Sequence, residues 1–141
     1  MRRAITAIVV FSVIALFDSV FSQIAIAAEA PADRVVVMYF HRTQRCPTCR
    51  KMGGYTEEAV EAGFAKEIKA GKVEFHFIDF QDEKNAELTK GYDVSGPTLI
   101  VAKVVGGKVK DHKNLDEMWE KVRDKEAFVE YVQTNVKEYL K

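Results

Sequence analysis

Arg34-Val-Val-Val-Met-Tyr-Phe-His-Arg-Thr-Gln-Arg-Cys-Pro-Thr-Cys49 is the stretch on which the fold turns. Arg34 to Phe40 is an unbroken β-branched and aromatic run, the pattern of a central strand covered on both faces. His41 to Arg45 is polar and reads as a loop. Pro47 stands where a helix can start without losing a hydrogen bond. The expected unit is therefore a buried strand, a short loop and a helix with Cys46 at its mouth.

Cys46 and Cys49 are the chain's only cysteines. A structural disulfide framework needs more cysteines at wider spacing, and a loop this short gains little from cross-linking. The spacing points to thiol–disulfide exchange, whose reactive species is the thiolate. At a helix N-terminus, unpaired N–H groups and the helix dipole favour that thiolate. Arg45 stands beside Cys46, and Arg50 and Lys51 follow one turn on. Cys46 is thus expected to attack a partner disulfide, and Cys49, one turn deeper, to resolve the mixed disulfide. Arg45, Pro47 and His41 are the candidate thiolate-tuning residues, His41 because imidazole titrates near neutral pH.

Two other readings of the pair stay open. A structural zinc site needs four ligands, and one Cys-x-x-Cys supplies two. Of the three histidines only His41 is local, and haem attachment would need His where Arg50 stands. No metal and no cofactor beyond the cysteine pair is expected. The third reading is a pair of inert structural cysteines.

Downstream, Gly53-Gly54 is expected to kink or break the first helix. Tyr55 to Lys69 resumes helical spacing through Val60, Phe64 and Ile68, with Thr56 as cap and Gly71 as stop. Val73 to Phe80 reads as a second strand, and Asp82 to Lys90 as a short helix. Pro97 opens a third strand, Thr98 to Val105. Gly106-Gly107 is a hairpin turn, and Lys108 to Asp111 the return strand. Phe128, Val132, Val136 and Leu140 line one face of a terminal helix capped by Asp124. Trp119 and Tyr131 are expected to be packing residues, and His76 and His112 receive no role. The strand–helix–strand crossovers are both expected to be parallel. The fold class is α/β, a four-stranded mixed sheet with helices on both faces in the order βαβαββα.

With those residues in hand, Phe40 to Cys49 together with Tyr92-Asp-Val-Ser-Gly-Pro-Thr-Leu-Ile100 resembles the thioredoxin superfamily. The resemblance spans roughly Val35 to Leu140. It implies that Pro97 is the cis-proline facing the active-site pair, and that Gly96 and Ser95 offer backbone to a substrate strand. Tyr39 to Cys49 is similar to small exported bacterial proteins named as the nitrophenyl-compound nitroreductase subunit ArsF family, which implies a reductive pathway. Three features depart from ordinary thioredoxin. Met38, Tyr39 and Phe40 fill the strand where thioredoxin has a buried aspartate. Arg45 replaces the tryptophan before the first cysteine. The opening strand and helix of full-length thioredoxin are missing.

The 141 residues suit one compact domain. A formal net charge of zero argues against a nucleic-acid binder and against long-range steering of strongly charged substrates. Met1-Arg2-Arg3, the apolar run Ala4 to Phe17 and Ala25-Ile26-Ala27 read as a secretory signal peptide over residues 1–27. The alternative is an uncleaved anchor over residues 4–26, with Asp18 costly near mid-membrane. Residues 28–34 read as a flexible lead-in to a domain over 35–141. The expectation is a periplasmic or otherwise exported thiol–disulfide oxidoreductase. Its partner would be a protein disulfide or dithiol, or a reductase. It would act as a monomer, without nucleic acid, touching a membrane only if the leader stays uncleaved. The alternative is a thioredoxin-fold electron-transfer or binding subunit of a larger reductase or metal-handling complex.

Overall fold

The computed structural model describes residues 31–141. The leader expected over residues 1–27 lies outside the described residues. Among the described residues, no helix is long and apolar enough to cross a membrane.

Strand β1, Arg34–His41, is buried at every position from Val37 to His41. Its side chains alternate between two cores, as the period of a strand requires. Val35, Val37 and Tyr39 join Met52 and Val60 of helix α1, Pro47–Gly63, and Phe128, Val132 and Val136 of helix α5, Lys125–Tyr139. Met38 and Phe40 face the other way, against Ile100, Phe80, Tyr92 and Val94. Between α1 and α5 the chain forms α2, Ala65–Lys69, then β2, Val73–Asp79, a 3-10 turn and α3, Ala86–Gly91. It continues through β3, Thr98–Val105, β4, Lys108–Asn114, and α4, Met118–Lys121. The sheet order is β2-β1-β3-β4. This is the expected α/β thioredoxin-like arrangement, a mixed four-stranded sheet covered on both faces.

The direction of β3 differs from expectation. β2 runs parallel to β1, but β3 is antiparallel to it, pairing Tyr39 with Leu99 and Phe40 with Thr98. β3 enters at the end where β2 left, since Thr98 opposes Phe40 and Asp79 opposes the neighbouring His41.

Gly53-Gly54 does not break α1, which runs through both. Gly53 is there for space: a Cβ would lie 2.8 Å from the Phe77 ring and 3.0 Å from the ring of Tyr39. Gly54 faces open space. Thr56 is not a cap. It lies buried in mid-helix, its hydroxyl donating to the Met52 carbonyl at 2.8 Å, a bond that satisfies the hydroxyl within the helix. Asp124 does cap α5, accepting from the Ala127 N–H at 3.1 Å. Trp119 does not pack inward, being 46% exposed.

Gly106 and Gly107 take φ of 58° and 75°, the left-handed pair that a two-residue hairpin turn needs. Their N–H groups donate to the Asp33 carboxylate and the Ala32 carbonyl, both at 2.8 Å. Residues 32 and 33 are thus tied to the hairpin, and β1 begins at Arg34.

Gly53→Ala is expected to destabilise the chain by about 1–2 kcal/mol, because the Tyr39 ring is fully buried and cannot yield. Gly54→Ala should stabilise it by about 0.5–1 kcal/mol through helix propensity alone. Urea unfolding of the two variants checks the contrast.

Candidate functional site

The loop leaving β1 delivers Cys46 to the N-cap of α1, with extended φ and ψ of −67° and 161°. Pro47 occupies the first helical turn, as its fixed φ and missing N–H allow. The Cys46 Sγ accepts the N–H of Cys49 at 3.1 Å, so the sulfur satisfies one of the orphan donors of the helix start. Cys46 and Cys49 are joined in a disulfide with Cα atoms 5.0 Å apart. Cys46 is exposed, whereas Cys49 is 6% exposed. An incoming thiolate can therefore reach only the Cys46 sulfur, and access decides which sulfur is attacked.

Beneath the pair lies a row of rings. The Tyr39 hydroxyl donates to the Cys49 carbonyl at 2.8 Å, in a buried bond. The Phe77 ring meets that of Tyr39 edge-on, with centroids 6.1 Å apart. His41 continues the row, its ring 6.4 Å from Tyr39 and 6.1 Å from Phe77. A carbonyl can only accept, so the 2.9 Å contact of His41 Nδ1 with the Arg42 carbonyl places the proton on Nδ1. Burial pushes the Tyr39 hydroxyl up to about 12, against a weaker downward pull from Arg45. Tyr39 is therefore a permanent donor at physiological pH and takes no proton from a cysteine.

Arg45 and Arg50 share an open concavity with Cys46. The Arg45 guanidinium lies over the Phe77 ring, 5.1 Å from its centroid, a cation–π contact. Arg50 Nε donates to the Arg45 carbonyl at 3.3 Å. Asp79 pairs with His41 across β1 and β2. Hydrogen bonds from Thr43 and the Gln81 N–H hold its carboxyl below the usual carboxylate range. Pro97 directly precedes Thr98, the partner of Phe40, so the third strand begins at the end of β1 from which the cysteine loop departs. Ser95 is exposed, and the Gly96 carbonyl accepts the Thr98 hydroxyl at 2.9 Å. Among the described residues, no group of three or more His, Cys, Asp or Glu gathers to hold a metal ion.

The resemblance marked Met38, Tyr39 and Phe40 together as filling the strand where thioredoxin has an acid, and Phe77 read only as a residue of the second strand. The structure makes Tyr39 and Phe77 part of the site. One signal lay in the sequence: Val35, Val37, Tyr39 and His41 alternate onto a single face, the one that a following helix must cover.

A buried central strand that ends in a helix-capping Cys-x-x-Cys, on a mixed four-stranded sheet, defines the thioredoxin-like class. The family model described as Thioredoxin matches residues 26–96, and the chain belongs to that family. Solved structures similar to it include a malarial protein at 19% identity, covering 62% of this chain and 96% of its own, with a TM-score of 0.40. Tryparedoxin II from C. fasciculata is 23% identical over 67% of this chain and 73% of its own, with a TM-score of 0.41. A thioredoxin from Thermus thermophilus is 22% identical over 64% of this chain and 72% of its own, with a TM-score of 0.35. No curated protein matches the chain.

Tyr39→Phe is expected to cost about 1 kcal/mol at neutral pH, the worth of one buried hydrogen bond. The raised value of Tyr39 also sets a pH dependence. Its contribution is intact below pH 10 and is lost as pH rises from 10 toward about 12, because the unfolded chain releases that proton more readily. Urea midpoints measured from pH 8 to 11.5 should fall less steeply for Tyr39→Phe than for the parent.

Proposed function

We propose that this protein is an extracytoplasmic thiol–disulfide oxidoreductase that exchanges disulfides with a protein partner. The observation that carries the reading is the asymmetric pair: Cys46 exposed at the N-cap of a 17-residue helix, Cys49 buried behind it. In the dithiol form, the Cys46 thiolate attacks a partner disulfide. A Cys46–partner bond forms, and one partner thiolate leaves and takes a proton from water. The Cys49 thiolate then attacks the Cys46 sulfur, closing the Cys46–Cys49 disulfide and releasing the second partner thiolate. Two electrons have passed to the partner, and a dithiol donor must return them. Run backwards, the same steps oxidise a partner dithiol.

Arg45, Pro47 and the helix N-terminus support a stabilised Cys46 thiolate, and Pro97 with Gly96 and Ser95 would line the substrate groove. The apolar leader supports export, and the likeness of Tyr39 to Cys49 to the ArsF proteins makes a reductase one candidate partner. One observation favours the second reading, an electron-transfer subunit. The group beneath Cys49 is Tyr39, a donor up to about pH 12. Proton removal from Cys49 would then need help from a docked partner.

The full chain equilibrated in glutathione buffers is expected to show one two-electron transition between about −270 and −120 mV. Cys46→Ser should abolish it, and Cys49→Ser should leave a mixed disulfide on Cys46, visible by mass spectrometry. If no reversible disulfide forms at any poise, the redox reading is wrong.

A further inference from the structure

The near-zero net charge of the chain hides a local imbalance at the redox pair. From His41 to Thr56 the sequence has four basic residues, Arg42, Arg45, Arg50 and Lys51, and no acidic one. Thr43, Gln44, Arg45, Cys46 and Arg50 line one open concavity, so both arginines share a surface with the attacking cysteine. Among the described residues, no carboxylate forms an ion pair with Arg42, Arg45 or Arg50. Asp79 is engaged with Thr43 and Gln81, and Asp82 with Lys84 at 2.9 Å.

The two arginines are also held. Phe77 carries the Arg45 guanidinium, its Cζ 5.1 Å from the ring centroid, and among the described residues no carboxylate takes up its N–H groups. The Arg45 carbonyl tethers Arg50 through Nε, leaving the terminal nitrogens of Arg50 outside that bond. A planar guanidinium edge matches a carboxylate with two parallel hydrogen bonds, and groups already positioned lose less freedom on binding.

We propose that Arg45 and Arg50 determine the specificity of this site, selecting a polypeptide disulfide that carries carboxylate side chains next to the cysteine that Cys46 attacks. The proposal rests on the oxidoreductase reading and names its substrate class. The carboxylates pair with the two guanidinium edges while Cys46 attacks the neighbouring sulfur, so the charges align the disulfide without entering the exchange. A partner with lysine at those places meets repulsion from both guanidinium groups.

The test uses the full chain with dithiothreitol as electron donor. The substrates are three disulfide-linked peptides, identical except for Asp, Asn or Lys beside the cysteine. Turnover (kcat/KM) should rank Asp above Asn above Lys. Exposed charge pairs are each worth about 1.4- to fivefold, so two of them should raise Asp over Asn by about two- to 25-fold, and high salt should shrink the gap. The Asp-to-Asn ratio within one variant cancels any change in Cys46 reactivity. That ratio should fall to near one in the Arg45→Gln, Arg50→Gln double variant and recover in part with Arg45→Lys, which restores the charge but not the planar fork. Phe77→Leu should lower the ratio by releasing Arg45. Equal turnover of the three peptides by the parent chain, or a ratio that survives in the double variant, overturns the assignment. Absence of turnover on all three peptides overturns the oxidoreductase reading and this proposal with it.

Discussion

A strand buried at five successive positions, Val37 to His41, has to be covered on both sides, and this constraint organises the molecule. Such a strand cannot sit at an edge, so β2 and β3 flank it. One face of it requires the stripes of α1 and α5, and the other is closed by Phe80, Tyr92 and Val94 beside α3. The loop at its end then has only the rim of the sheet to occupy. There the first turn of α1 begins, and the cysteines stand in that turn. The position of the chemistry follows from the burial of the strand before it.

The second constraint is the close seating of α1 on its sheet. Gly53 lets the helix approach to where a methyl group would touch Tyr39 and Phe77. At that distance the Tyr39 hydroxyl reaches the Cys49 carbonyl, and the Phe77 ring is left to carry Arg45. One glycine, two rings and one hydrogen bond thus fix the heights of both cysteines relative to the sheet. Burial keeps the tyrosine protonated up to about pH 12, so this floor is structural where an acid would be a proton carrier. The opposite design holds on the outer side of the pair. There the sulfur is exposed and the groups around it are charged and stacked or tethered at only one side. A rigid apolar floor beneath an exposed cationic rim suits a reaction in which one sulfur must stay sheltered and the other must meet a partner.

The sequence by itself determined a good deal. Continuous apolar character from Val35 to Phe40 made β1 central, because only a strand covered on both faces has no polar side. The pairing of Cys46-Pro47 with Cys49 put the thiols at a helix start, where backbone dipoles act locally. Gly106-Gly107 marked the hairpin, since few other residues accept left-handed backbone twice in succession. Asp124 and the 128, 132, 136 spacing defined α5. Each of these is a local effect that a short window of residues contains. Tertiary structure alone decided the direction of β3, which depends on the end of β1 at which the residue 80–97 connection returns the chain. It alone decided that Gly53 would continue a helix, because the reason is two rings supplied by β1 and β2. It also turned Tyr39 and Phe77 into parts of the site, and it set the Arg45 guanidinium on Phe77 while Asp79 and Asp82 were engaged elsewhere. Spacing along a chain encodes periodicity, charge order and caps; which side chains meet across elements depends on distances that exist only once the sheet and helices have packed.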